Sequence, residues 1–145
     1  MENCIFCKII NKQIPSSVVY EDDVVVAFLD ISQATKGHTL VLPKKHYSNL
    51  LEIDEETLAQ IVKVAKHIAS SMIDSLGAKG FNLVNNCNEV AGQSVMHFHL
   101  HIIPRYEHDE FIIGPKDNNS KYDLKEIQEK IKNGLANRYE LVNKK

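Results

Sequence analysis

The chain has 145 residues, 43% of them hydrophobic and 25% charged, with a formal net charge of -2; this balance suits one soluble folded domain and argues against disorder. So small a charge gives no general field for gathering nucleic acid, so any anion site must be local. The longest apolar run, VVVAFL, is too short to cross a bilayer, and the opening MENCIFCKII lacks the basic stretch and apolar core of a secretory signal. The expected setting is therefore cytoplasmic, with neither a membrane nor a nucleic acid as partner.

Residues 4–12 read as a short helix with Ile5, Phe6, Ile9 and Ile10 on one side, stopped by Pro15 and two serines. VVYE and VVVAFLD then flank Asp22-Asp23 as a β-hairpin rich in β-branched residues. After the loop ISQATKG comes a strand, HTLVLP, closed by Pro43. The clearest helix spans about Asp54 to Leu76. Asp54 serves as its N-cap, Leu58, Ile61, Val62, Ala65, Ile68, Met72 and Ile73 form its stripe, and Gly77 stops it. FNLVNN is a strand, CNEVAGQS a polar loop, and VMHFHLHII the next strand. Residues 106–122 are charged and turn-rich, and Asp123 caps a C-terminal helix with Leu124, Ile127, Ile131 and Leu135 at helical spacing. Strands in succession around one long helix predict an α+β domain with a mainly antiparallel sheet.

Three of the seven histidines fall within HFHLHIIPR. Side chains alternate along a strand, so His97, His99 and His101 share one face and Phe98, Leu100 and Ile102 the other. A solvated strand would use Thr, Lys or Glu there. Two chemical readings remain. Imidazoles at this spacing can bind one metal ion. Alternatively, a neutral imidazole can act as nucleophile or acid–base group, if one ring nitrogen keeps its proton against an acceptor and the other offers a lone pair. Spacing alone does not choose between them. Upstream, Asn86, Gly92, Gln93 and Ser94 offer amides, a hydroxyl and accessible backbone suited to phosphate oxygens, although an ordinary polar turn has the same composition. No GxxxxGK[ST] element is present, which excludes a P-loop.

The run His97-Phe98-His99-Leu100-His101-Ile102-Ile103, preceded by Ala91-Gly92-Gln93-Ser94, resembles the signature of the histidine triad (HIT) superfamily. CIFCKIINKQIPSSVVYEDD, AFLDIS and GHTLVLPKKH resemble the bacterial Hint branch, so the likeness covers about residues 4–105. It implies a HIT-like fold with a five-stranded sheet in a single domain over 1–145, with a core at about 4–105 and a tail and helix at 106–145. It also implies hydrolysis or transfer at the α-phosphorus of purine nucleoside phosphoramidates, releasing AMP without a catalytic metal. By this resemblance His99 is the nucleophile that becomes nucleotidylated. His101 contacts phosphate, His97 supports the array, and His38 is a fourth histidine near the triad. Asn86 and Ser94, with the backbone around Gln93 and Val95, match the phosphate-binding groups. Asp30 matches the acid that receives the ribose hydroxyls. Phe6, Ile9, Ile14, Phe28 and Ile31 match the apolar walls of the base pocket, although their pattern alone reads as core. Branch members are usually homodimers joined edge to edge, which makes a homodimer the expectation.

Cys4-x-x-Cys7 read alone could be a redox pair, two buried cysteines or half of a metal site, and tetrahedral zinc would need two further ligands. The resemblance to bacterial members with this cysteine pair supplies His46 and His97, for a structural Cys2His2 zinc site. Cys87 reads as a small packed residue, and His67 and His108 as surface residues. Two features depart from the branch: Asn88 stands where many members have glycine, and the chain has no tryptophan and an unrelated tail after Arg105. The rival functions are a dinucleoside polyphosphate hydrolase and a zinc-stabilised nucleotide-binding or interaction module with incidental turnover.

Overall fold

The computed structural model describes residues 3–108, 110–114 and 121–143. The chain divides into two compact units, Met1–Ile112 and Ile113–Lys145. In the first, α1 (Ile5–Ile10) is followed by β1 (Val18–Glu21), β2 (Val25–Leu29), β3 (Thr39–Pro43), α2 (Glu55–Leu76), β4 (Gly80–Val84) and β5 (Leu100–Arg105). The strands form one sheet in the order β1-β2-β3-β5-β4, every neighbouring pair antiparallel. This is the α+β, five-stranded antiparallel architecture that the sequence predicts.

Both faces of the sheet are used, and strand alternation decides which residues go where. Val25 and Ala27 of β2, Val41 of β3, and Leu100 and Ile102 of β5 form one core with Phe98 and the buried side of α2. Val26, Phe28, Leu40 and Leu42 point the other way and pack with Phe6 of α1. The histidines are on this second face because Phe98, Leu100 and Ile102 are taken up by the first.

Helix α2 begins where Asp54 accepts the Thr57 N–H at 3.1 Å and ends at Gly77, which adopts φ +77°. Its buried residues are Ile61, Val64, Ala65, Ala69 and Met72. Val62 and Ile73, placed on the stripe by the sequence reading, are exposed instead. Each lies one residue, about 100° of helical turn, beyond a buried neighbour, and Val64 and Ala69 complete the buried arc. A second correction concerns β5, whose paired residues begin at Leu100 rather than in VMHFHLHII's first half. Before it the Phe98 N–H bonds the Tyr47 carbonyl at 2.7 Å, so a loop rather than a strand flanks His97.

In the second unit, α3 (Leu124–Asn143) starts as expected at Asp123, whose side chain accepts the N–H groups of Lys125 and Glu126 at 3.1 and 3.3 Å. Leu124, Ile127, Ile131 and Leu135 are exposed along it.

Asp54 accepts a further hydrogen bond from the Tyr47 hydroxyl at 2.7 Å, and the two donors hold its carboxyl down at about 2, against 3.8 unperturbed. A depressed carboxylate contributes stability above its unfolded pKa and loses it as pH falls through the folded one. Asp54→Ala is expected to cost about 1 kcal/mol at pH 7. Urea unfolding should show the gap between variant and wild type closing as pH drops from 4 towards 2.

Candidate active site

Register assembles the site. Leu29 of β2 lies opposite Thr39 of β3, and one step further Asp30 donates its N–H to the His38 carbonyl at 2.9 Å. Across β3 and β5, Leu40 lies opposite His101, which puts His38 diagonal to His101 on the same face. Gln33 braces the connecting loop by bonding the His38 carbonyl at 2.8 Å and receiving the Gly37 N–H at 2.7 Å. Gly37 has φ +97°, a conformation that requires glycine, and a Cβ there would in addition push on the Leu76 Cδ1 methyl at 2.7 Å.

Hydrogen bonds settle where the imidazole protons lie. His99 Nδ1 is 2.8 Å from the His97 carbonyl, which can only accept, so Nδ1 carries the proton and Nε2 the free lone pair. His38 Nδ1 accepts the Ala34 N–H at 3.2 Å, which puts the His38 proton on Nε2, 2.9 Å from His101 Nδ1. His101 Nδ1 therefore accepts, and its own proton lies on Nε2. One residue is thus set as a nucleophile and its neighbour as a donor, with ring centroids 4.9 Å apart. His38 Nε2 is also 3.7 Å from Asp30 Oδ2. Donor atoms of Asp30, His38 and His101 lie within 4.8 Å of one another. While this relay holds, its two nitrogens share a proton rather than a cation.

Burial keeps the rings neutral. Loss of solvation pushes His99 down, against the pull of the His97 carbonyl and Asp30. His101 falls to about 4, first through burial and then through His99 and His38. His97 also falls to about 4, chiefly through burial. A neutral nucleophile is thus available throughout the physiological range.

His97 turns away from this relay. Its Nε2 donates to the Pro43 carbonyl at 2.8 Å, leaving the Nδ1 lone pair 3.4 Å from Cys4 Sγ and 3.5 Å from Cys7 Sγ. His46 Nδ1 lies 3.4 Å from Cys7 Sγ, and the four donor atoms all fall within 4.8 Å of one another. In a tetrahedral site with Zn–S about 2.3 Å and Zn–N about 2.0–2.1 Å, sulfur and nitrogen ligands are roughly 3.5 Å apart, so this donor set fits zinc. The carbonyl behind His97 is the usual support of a ligating imidazole. Without a cation, burial and Cys4 raise the Cys7 thiol to about 11; a bound divalent ion would hold it as thiolate.

The remaining predicted residues divide into groups. Asn86 is half-buried beside Gly92, where a Cβ would stand 3.6 Å from Asn86 Nδ2. Ser94 is exposed, and Val95 is half-buried against the Phe6 cluster. The Gln93 side chain is spent on the loop itself, bonding the Ser48 and Val95 carbonyls and the Asn88 N–H, and its backbone N–H donates to the Asn88 carbonyl at 3.2 Å. Asn88 takes φ +75° with ψ 157°, outside the left-handed helical region that asparagine tolerates and in one that favours glycine, and its side chain accepts from Asn49 Nδ2 at 3.2 Å. Phe6 and Phe28 are core residues in edge contact at 5.7 Å, Ile9 packs beside them and Ile14 is half-buried. Ile31 is fully exposed beside Asp30, contrary to the core reading of its pattern. Cys87 is half-buried, and His67 and His108 are exposed. The sequence reading missed the Pro43 and His97 carbonyls, the Ala34 N–H, and Asn85, whose side chain holds the His99 carbonyl at 3.0 Å. Backbone groups carry no residue signature; Asn85 had one only as the neighbour of Asn86.

Comparison with known proteins agrees with this geometry. The HIT domain family model matches residues 11–108. Protein hit of Bacillus subtilis is 50% identical over 139 residues, covering 93% of this chain and 96% of its own length. A HIT family protein from Bacillus anthracis superposes with a TM-score of 0.85 at 48% identity, over 94% of this chain and 96% of its own. A zinc-bound histidine triad family protein from Mycobacterium smegmatis has a TM-score of 0.74 at 35% identity, over 83% and 87%. A HIT family hydrolase from Clostridium thermocellum has a TM-score of 0.67 at 41% identity, over 81% and 98%. An adenylylsulfatase of Arabidopsis thaliana is 38% identical over 107 residues, 74% of this chain and 54% of that protein. The chain belongs to the histidine triad family. Among the described residues, no helix is long and apolar enough to cross a membrane.

The lowered imidazoles predict the acid response of the fold. A histidine lowered in the native state binds fewer protons than in the unfolded chain, so stability is lost as pH falls from about 6.5 towards 4. Denaturant titrations should find this slope in the wild type and a shallower one in His101→Gln.

Proposed function

We propose that the protein is a nucleotide hydrolase or transferase that takes an adenylyl-type group from a purine nucleoside phosphoramidate onto His99. The observation that carries this reading is the proton pattern: a lone pair on His99 Nε2 beside a donor on His101 Nε2. His99 Nε2 attacks the α-phosphorus, an N–P bond forms, and the bond to the leaving amine breaks. An anionic phosphate favours uptake of a solvent proton at His101 Nδ1, which breaks the His38 relay, and His101 Nε2 then gives the amine its proton and leaves the ring neutral. Neutral His101 then takes a proton from the water that attacks phosphorus, the N–P bond breaks, and AMP leaves. Asn86, Ser94 and the backbone around Gln93 and Val95 receive the phosphate oxygens, and Asp30 receives the ribose hydroxyls. Phe6, Ile9, Ile14, Phe28 and Ile31 border the base, with exposed Ile31 as the side chain most open to it.

The hydrolase and the adenylylsulfatase among the relatives support chemistry of this class. The adenylylsulfatase also supports a second reading in which the leaving group is not an amine. A dinucleoside polyphosphate would react at the same phosphorus, and a binding module would hold it without turnover. Cys4, Cys7, His46 and His97 would hold zinc, which supplies structural cross-linking and no step of the reaction. The zinc-bound relative supports that ion. We place the protein in the reducing cytoplasm, acting alone on small nucleotides as a homodimer and as a single functional domain. Edge strand β4, with half-exposed Phe81 and Leu83, supports pairing with a second copy.

AMP release from adenosine 5′-phosphoramidate should show a burst in the wild type and none in His99→Ala, while His101→Gln should lose about 10²–10⁴-fold. Faster cleavage of diadenosine triphosphate or adenylyl sulfate would move the assignment to those substrates, and binding without turnover would refute it. In light scattering the wild type is expected as a dimer and Leu83→Lys as a monomer.

A further inference from the structure

We propose that the Cys4, Cys7, His46 and His97 cluster positions the nucleophile, acting through Phe6 and the main chain of His97, in addition to stapling the fold. This rests on the reading of His99 as nucleophile.

Helix α1 has six residues and buries only Phe6. A helix so short has little stability of its own, so outside anchors decide how it sits. The anchors are the apolar packing of Phe6 and the thiols on either side of it: Cys4 at the N-cap, whose sulfur accepts the Cys7 N–H at 3.4 Å, and Cys7 in the following turn. Phe6, with half-buried Ile9 and Ile10 beside it, resists rolling of so short a helix about its axis only through apolar contact; two sulfurs tied to His46 and His97 by a common ion would fix it.

What α1 presents to the site is the Phe6 ring. It stands edge-on to His99 at a centroid distance of 5.0 Å and an interplanar angle of 87°, and to His97 at 6.0 Å and 74°. The Phe6 edge and the His101 ring fix the rotation of the nucleophile's ring about its side chain. Its proton is fixed by the carbonyl of His97, itself one of the four cluster residues. As neutral thiols, Cys4 and Cys7 offer that imidazole only weak hydrogen bonds. As ligands of a common ion they would hold it, its carbonyl and Phe6 as one unit. The cluster also borders the loop assigned to phosphate: Cys4, His46, Ser94 and Val95 line one cleft of about 500 Å³. Two of the four cluster residues, Cys4 and His46, therefore border the loop assigned to the phosphate, and a third, His97, carries the carbonyl that holds the attacking ring.

The test compares zinc-loaded protein, protein stripped with a chelator, and zinc-loaded Phe6→Leu. Circular dichroism melts establish the folded fraction, AMP release gives kcat and KM, and nitrogen-15 NMR without substrate reports which His99 nitrogen carries the proton. We expect folded, stripped protein to lose roughly 10–100-fold in kcat with little change in KM, and zinc to restore it. Phe6→Leu should reproduce the loss with its zinc in place. The single Nδ1–H signal of His99 should broaden or divide on stripping. An unchanged kcat and an unchanged His99 signal in stripped or Phe6→Leu protein would overturn the proposal. If stripping unfolds the chain, Phe6→Leu decides. If the wild type has no turnover, the adenylyl-transfer reading fails, and the NMR signal still decides whether the cluster sets the ring.

Discussion

The hydrogen bond from His97 Nε2 to the Pro43 carbonyl, 2.8 Å long and fully buried, joins the end of β3 to the segment entering β5. A carbonyl cannot donate, so the contact leaves no choice of tautomer. The Nδ1 lone pair must face the cysteines, and the residue's own carbonyl is held where His99 needs an acceptor. Breaking it would strand a polar ring in an apolar interior, at a cost of about 1–3 kcal/mol. The orientation of the Nδ1 lone pair towards the cysteines and the proton state of the neighbouring imidazole both follow from this one contact.

Dryness does the rest. The same burial that lets the Phe98 side of the segment complete a core removes water from the histidine side, and imidazoles packed closely in such a place resist protonation. Nucleophilicity here needs no strong base nearby, because neutral rings are what the environment favours. The carbonyls and the Ala34 N–H only decide which nitrogen is free.

Much of this could be read from the chain itself. Alternation in HFHLHIIPR assigns three imidazoles to one face and the apolar partners to the other, and the structure divides them in this way. Asp54 and Gly77 mark the ends of α2 because capping is local chemistry. The meeting of Asp30 with His38, or of His46 with the cysteine pair, depends on strand register and loop paths; there the family resemblance supplied what spacing could not. Val62, Ile73 and Ile31 were misread because an apolar residue near a buried arc or strand end has the same letter whether it faces core or solvent. The anchoring carbonyls were invisible, since every residue has one.

His97 serves two neighbourhoods at once, and this has an evolutionary consequence. Substitutions in the cysteine pair and in the histidine run cannot drift independently, because each changes the background in which the other is selected. With an ion in the cluster, loss of Cys4 or Cys7 would leave His46 and His97 with an incomplete ligand set, so a change at one of these positions alters what is tolerated at the others. The fold thus couples the choice of residue at partners ninety or more positions apart in the chain.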